Sequence, residues 1–206
     1  MRKYLFITIL SLGFLLRIID LGRLPSGFTP DEASFGYDAY CLLKTGKDQW
    51  GTSFPLVLKS FGDYKSPLYT YLTIPFVAVG GLNEVAVRLP NAIISTLAVF
   101  AAFLLVEALF KKKNLALLAS FLVAVSSWHI MMSRGAFEAN LTTFFLPFGI
   151  YLYLKKKYSL SALFLGLNLF TYHSAKLITP IIFVALILIT KKFKLIPSLI
   201  FSFFLA

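Results

Sequence analysis

Four basic clusters punctuate this chain: Arg2-Lys3, Lys111-Lys112-Lys113, Lys155-Lys156-Lys157 and Lys191-Lys192-Phe193-Lys194. Each stands at the end of an apolar run. A soluble fold has no use for that rhythm, but cytoplasmic flanks of membrane spans have it. Composition agrees. Of the 206 residues 58% are hydrophobic and 14% charged, against roughly 25% charged in soluble domains. The net charge of +11 is therefore topological. No nucleic-acid recognition motif accompanies it, so nucleic acid is not an expected partner. The single cysteine, Cys41, excludes an internal disulfide and a cysteine-based zinc site. His129 and His173 are too far apart for a metal-ligand motif.

The expected fold is all-α: a polytopic bundle of about seven spans forming one membrane domain over residues 1–206. Six runs are clear, at 4–21, 88–110, 115–132, 140–154, 159–173 and 176–190, and a seventh begins at Leu195. Arg2-Lys3 and the first run could open a signal peptide. No small-residue cleavage site follows, so the run is read as an uncleaved span. The chain stops inside an apolar run, which suggests a truncated C-terminus.

The stretch 67–82 is ambiguous. Its length gives about 24 Å as a helix, against roughly 30 Å of hydrocarbon, and Pro75 interrupts it. Charge decides. If 67–82 does not cross and the N-terminus is cytoplasmic, 11 of the 20 lysines and arginines lie inside, with one acid, Glu107. If it crosses, only five lie inside. The first arrangement obeys the positive-inside rule. It makes 67–82 a juxtamembrane helix and leaves a long outer loop, residues 22–87. That loop holds six of the nine acids: Asp31, Glu32, Asp38, Asp48, Asp63 and Glu84. Nearly all polar chemistry other than lysine then faces outward.

Within that loop, Thr29-Pro30-Asp31-Glu32 fits a capping box, with Pro30 at the first helical position and Glu32 at the third. The helix should run to about Lys44 and stop at Gly46. Capping and catalysis do not exclude each other. A carboxylate at a helix N-terminus stays ionised and can act as a general base. Lys65, where the chain re-enters the interface, reads as a snorkelling lysine or a ligand for a lipid phosphate. Arg134 and Glu138, four apart, read as an ion pair at a span end or as functional charges at membrane depth. His173 and Lys176 read as interfacial anchors or as phosphate or sugar contacts. Arg88 reads as an anchor of the second span and His129 as a satisfied core histidine. Arg17 and Asp20, three apart, are expected to pair.

Together these residues resemble the polyprenyl-phosphate-dependent membrane glycosyltransferases of the GT-C fold. The likeness is to the bacterial branch similar to protein O-mannosyltransferases and the lipid A aminoarabinose transferase. It rests on Pro30-Asp31-Glu32, on Tyr64-Lys65-Ser66-Pro67-Leu68-Tyr69, on Arg88-Leu89-Pro90 and on Ser133-Arg134 to Glu138. The resemblance implies a seven-span module with two juxtamembrane helices in the first outer loop. It implies a polyprenyl-phosphate-linked sugar as donor and inversion at the anomeric carbon. Asp31 would be the base, and Glu32 would orient it or contact the acceptor. Glu138 would be a second catalytic acid. Lys65, Lys176 and Arg134 would bind the donor phosphate, with Tyr64, Tyr69 and His173 as substrate contacts. A divalent metal near Asp31, Glu32 and Glu138 is compatible with the carboxylates, although no ligand signature marks it. The rival readings are a transporter or lipid flippase, and a non-catalytic fragment of a longer enzyme.

Overall fold

A computed structural model describes residues 2–190, so the run from Leu195 lies outside the described residues. Nine α-helices follow in order: α1 Arg2–Ile18, α2 Pro30–Thr45, α3 Leu68–Gly80, α4 Glu84–Phe110, α5 Lys113–Val125, α6 Ser127–Arg134, α7 Thr142–Leu154, α8 Tyr158–Leu169 and α9 Ala175–Thr190. A 3-10 turn, Glu138–Leu141, precedes α7. The helical expectation holds, with one addition: the outer loop contains an antiparallel hairpin of β1 Leu58–Ser60 and β2 Asp63–Lys65. Phe61 and Gly62 both take positive φ at its turn, the backbone that a two-residue hairpin turn demands.

Among the described residues, helix α4 alone is a single helix long and apolar enough to cross a bilayer; its 27 residues reach about 40 Å. The expected span at 115–132 is instead a pair, α5 and α6, bent by 54°. Taken together they also qualify, while α3, α8 and α9 are shorter apolar helices. By length, the described residues thus hold one or two of the seven expected crossings.

The distribution of polarity is inverted relative to a soluble protein. Leu177, Ile181, Val184, Leu188 and Ile189 of α9 are exposed, as are Leu118, Phe121 and Leu122 of α5. Arg17, Asn91, Ser95, Asn168 and Thr171 are buried. Apolar groups outside and hydrogen-bonded polar groups between helices are what a lipid surround favours. Helix α4 packs against α1, α3, α5 and α7, so it is the mast of the bundle.

The bend at Ser126 has an identifiable cause. Ser126 is extended and its hydroxyl caps α6 by accepting from the His129 N–H at 3.4 Å. That ends α5 and frees the carbonyls of its last turn. Arg17 fills the gap. It donates to the carbonyls of Ala124 and Val123, each at 3.1 Å, to its own Gly13 carbonyl at 2.6 Å and to His129 Nδ1 at 2.7 Å. The expected Arg17–Asp20 pair therefore does not form. A buried guanidinium gains more from four inward acceptors than from one carboxylate at the surface. His129 is the satisfied core histidine expected. Since arginine cannot accept, Nδ1 accepts and Nε2 carries the proton, which it offers to Thr143 Oγ1 at 3.1 Å.

Helices α2 and α3 lie across one end of α4. Tyr69, at the start of α3, donates its hydroxyl to the Val87 carbonyl at 2.8 Å. Val77, two turns further along α3, packs on Ala86. Partners adjacent on α4 for residues about 12 Å apart on α3 require α3 to run crosswise. Gly36 lets α2 press on the same turn; a Cβ there would meet Val87 Cγ2 at 2.6 Å.

Candidate active site

The N-terminus of α2 forms as the sequence dictates. The Glu32 N–H donates to Thr29 Oγ1 at 3.2 Å, and the Thr29 N–H donates to Glu32 Oε2 at 3.0 Å. Pro30 opens the helix, and Gly46 closes it in the left-handed region at φ 69°. Glu32 does much more than cap. Arg88 of α4 grips it with Nε on Oε1 at 2.8 Å and Nη2 on Oε2 at 3.2 Å, and the Ala136 N–H adds a bond of 3.1 Å. The remaining N–H groups of Arg88 go to the carbonyls of Leu21 (3.1 Å), Pro25 (2.9 Å) and Gly27. All five guanidinium donors are thus used. The Arg88–Glu32 pair thus ties the loop after α1, α2, α4 and the second outer loop together.

Glu32 is only 1% exposed. Burial by itself pushes its carboxyl up, but the bonds from Arg88, Thr29 and Ala136 outweigh it and hold the carboxyl below its ordinary value of 4.5. A carboxylate with every bonding site taken has nothing left for an acceptor. Of the two roles expected for it, orienting Asp31 fits this geometry and touching substrate does not.

Asp31, one residue earlier, points the other way, with its side chain 60% exposed. It forms an ion pair with Lys65 at the end of β2. The Lys65 side chain is 7% exposed and its ammonium sits 4.7 Å from the centre of the Phe35 ring. The lysine is thus a nearly buried cation laid over an aromatic floor, with the exposed Asp31 as its partner. Glu138, in the 3-10 turn, is half-buried and close enough for Lys65, Asp31 and His173 all to act on its charge. Burial raises its carboxyl, and the Asp31 charge adds to this; Lys65 and His173 partly offset it. His173 Nε2 lies 2.7 Å from the Tyr64 carbonyl, which pins the α8–α9 connection to the hairpin. The Leu68 N–H donates to the Phe170 carbonyl beside it, at 3.3 Å. Asp31, Lys65, Glu138 and His173, from four separate segments, are therefore near enough for their charges to interact, and this charged cluster forms the mouth of the candidate site.

The turn that carries Glu138 is held from behind. Asn140 donates to Asn91 Oδ1 at 3.0 Å and Ser95 Oγ at 2.6 Å, and Asn91 donates to the carbonyls of Met132 (2.8 Å) and Gly135 (2.6 Å). Neither this network nor the Arg88 junction was foreseen. The available signal was Asn91 and Ser95, four apart on one face of an otherwise apolar span.

Other expected residues fall elsewhere. Tyr69 is 0% exposed and its ring packs on Phe35, so it is part of the wall beneath the site. Arg134 is not paired with Glu138. It donates to the carbonyls of Leu16, Ile19 and Leu24 at the end of α1, where the helix leaves acceptors unsatisfied. Those carbonyls engage both of its terminal nitrogens. Tyr64 is exposed and meets His173 through its backbone. Lys176 is exposed in the first turn of α9, two residues beyond the His173-Ser174 turn, and makes no ion pair among the described residues. Among these residues, no three His, Cys, Asp or Glu side chains gather as metal ligands. A cavity of about 730 Å³ between α3 and the start of α4, lined by Pro75, Phe76, Val79, Glu84, Val85 and Leu89 among others, is mostly apolar and includes none of Asp31, Glu32 and Glu138.

A sequence model of the dolichyl-phosphate-mannose-protein mannosyltransferases matches residues 7–201. The chain belongs to this family. The match begins within α1 and includes Asp31, Lys65, Glu138 and His173, and the family is one of membrane-integral glycosyltransferases. No curated protein and no solved structure matches the chain.

Proposed function

We propose that this chain transfers a sugar from a polyprenyl-phosphate donor to an acceptor hydroxyl at the outer face of the cytoplasmic membrane. The observation that carries the reading is the Asp31–Lys65 pair, half of it exposed and half laid over Phe35, with Glu138 and His173 at the same mouth. The donor phosphate takes Lys65, and with it the partner of Asp31. Asp31 is then free to accept the acceptor's proton as its oxygen attacks the anomeric carbon from the face opposite the phosphate. The bond from that carbon to the phosphate oxygen breaks, the configuration inverts, and the polyprenyl phosphate leaves with the charge that Lys65 neutralises. Lys176 stands free to make a second phosphate contact. Glu32 keeps Asp31 in place through α2, and the half-buried Glu138 faces the sugar. No metal is needed in this scheme.

Seven spans with a cytoplasmic N-terminus put the lysine clusters inside and this mouth outside. The crosswise packing of α2 and α3 on α4 supports the two juxtamembrane helices. The family's description makes a mannosyl donor and a protein acceptor the first pair to assay. A broken span such as α5–α6 is also a transporter feature, but here Arg17 engages the Ala124 and Val123 carbonyls at the break, so those two are not free to line a substrate path.

The test is transfer of label from polyprenyl-phosphate-mannose by purified protein in lipid. Transfer from that donor but not from a nucleotide sugar is the expected result. Transfer from the nucleotide sugar alone would overturn the proposal.

A further inference from the structure

We infer a second ligand site at the opposite end of the bundle, for the headgroup of an anionic phospholipid of the inner leaflet. A cavity of about 260 Å³ lies where α1, α4 and α5 converge, lined by Arg2, Lys3, Lys113 and Glu107 around a floor of Phe6, Phe103 and Leu117. Three cations face one acid there. Among the described residues none of the four makes an ion pair, so the lining carries uncompensated positive charge. Leu117 is buried, and the Phe6 and Phe103 ring centres lie 4.4 Å apart with the rings tilted by 39°. Charge at the mouth over an apolar floor suits a phosphodiester that is attached to acyl chains, where a free phosphate would gain nothing from the floor. The volume falls below the 300 Å³ or so of a whole-ligand pocket, which fits a headgroup whose chains remain in the bilayer. Exposed Leu5 on α1 and Leu118 on α5 offer those chains an apolar flank.

The end of the molecule is set by the structure itself. Helix α1 meets the catalytic side through the Leu16 and Ile19 carbonyls, and its Arg2 end lies about 24 Å away along the helix. The N-terminus of α5, opened by Lys112 without a side-chain cap, turns its free N–H groups to the same end and adds to the attraction for an anion. Basic pockets between spans on the cytoplasmic side bind acidic headgroups by this chemistry. Assignment to the inner leaflet rests on the topology proposed above; the lipid class does not.

Native mass spectrometry of the full chain in detergent, titrated with phosphatidylglycerol and separately with phosphatidylcholine, tests the site. One phosphatidylglycerol should be retained in preference to phosphatidylcholine. The double variant Lys3→Gln/Lys113→Gln, both exposed positions, should weaken it by about tenfold or more, while Lys155→Gln/Lys156→Gln on another turn should not. Unchanged affinity in Lys3→Gln/Lys113→Gln, with circular dichroism confirming the fold, overturns the inference. Displacement of the lipid by millimolar inorganic phosphate would make this a free-phosphate site and overturn the lipid assignment. A Cys41→Ser/Lys112→Cys variant labelled by an impermeant thiol reagent from outside the cell would overturn the leaflet, and with it the topology, without touching the lipid result.

Discussion

Residues of one charge type play opposite parts at this site, and burial separates them. Asp31 and Glu32 are neighbours in sequence, yet one is exposed and the other sealed. Removing Glu32 by Glu32→Gln leaves the Arg88 guanidinium buried without its counter-ion. Loss of one partner of a buried pair costs about 3–5 kcal/mol, so the variant should unfold well below the wild type in a thermal melt. Arg88→Lys should fare little better, because an ammonium cannot supply five donors in a fixed plane. The pair also sets an acid limit. The Glu32 carboxyl lies below its ordinary 4.5 when folded. Its contribution to stability is therefore full above 4.5 and is lost as pH falls through the folded value. Thermal melts at descending pH should show that loss only below 4.5, and Glu32→Gln should remove the dependence. Lys65 behaves differently, since its partner Asp31 is exposed and can be solvated when the pair is broken. Lys65→Met, which keeps an unbranched stem over Phe35, should cost less stability than Glu32→Gln and lower kcat/KM for the donor by about a hundredfold. A kinetic profile equal to wild type would exclude Lys65 from phosphate binding.

At the scale of elements, what was local in sequence was legible. The capping box and the Gly46 stop of α2 depend on residues three or four apart, and both form as read. The crossing of α2 over α4 was not legible, because it depends on Gly36 meeting Val87, far along the chain. Gly36→Leu should pry the helices apart, at about 1–3 kcal/mol for overpacking, and should displace Asp31; transfer should fall more than stability does. The hairpin was missed for a different reason. Its three-residue strands carry no periodic pattern, and only Phe61-Gly62 marks the turn. The bend between α5 and α6 was read as one span, since Ser126 and Ser127 scarcely interrupt the apolar run. Its partner, Arg17, lies on another helix and was assigned to the nearest acid instead. The pairs Arg17–Asp20 and Arg134–Glu138 show the same limit: helical spacing identifies neighbours, whereas burial decides which acceptors compete for a guanidinium.

Across the whole molecule, charge divides the ends. The mouth with Asp31, Lys65, Glu138 and His173 lies at one end of α4, and the Arg2, Lys3 and Lys113 cleft at the other. Composition and lysine spacing made the membrane class and the helical fold legible. The convergence of four distant segments on one mouth required the fold. The division predicts that a cysteine in place of Lys156, in a Cys41→Ser background, is shielded from impermeant thiol reagents in intact cells, whereas one in place of the exposed Phe54 is labelled. The central claim is that Asp31 takes the acceptor's proton. Its most direct test is the rate of sugar transfer by Asp31→Asn, measured with donor binding in the same preparation. A carboxamide keeps the size and loses the base, so kcat should fall by about 10²–10⁴ while the donor still binds and the melt is unchanged. Transfer at the wild-type rate by that variant would contradict the assignment.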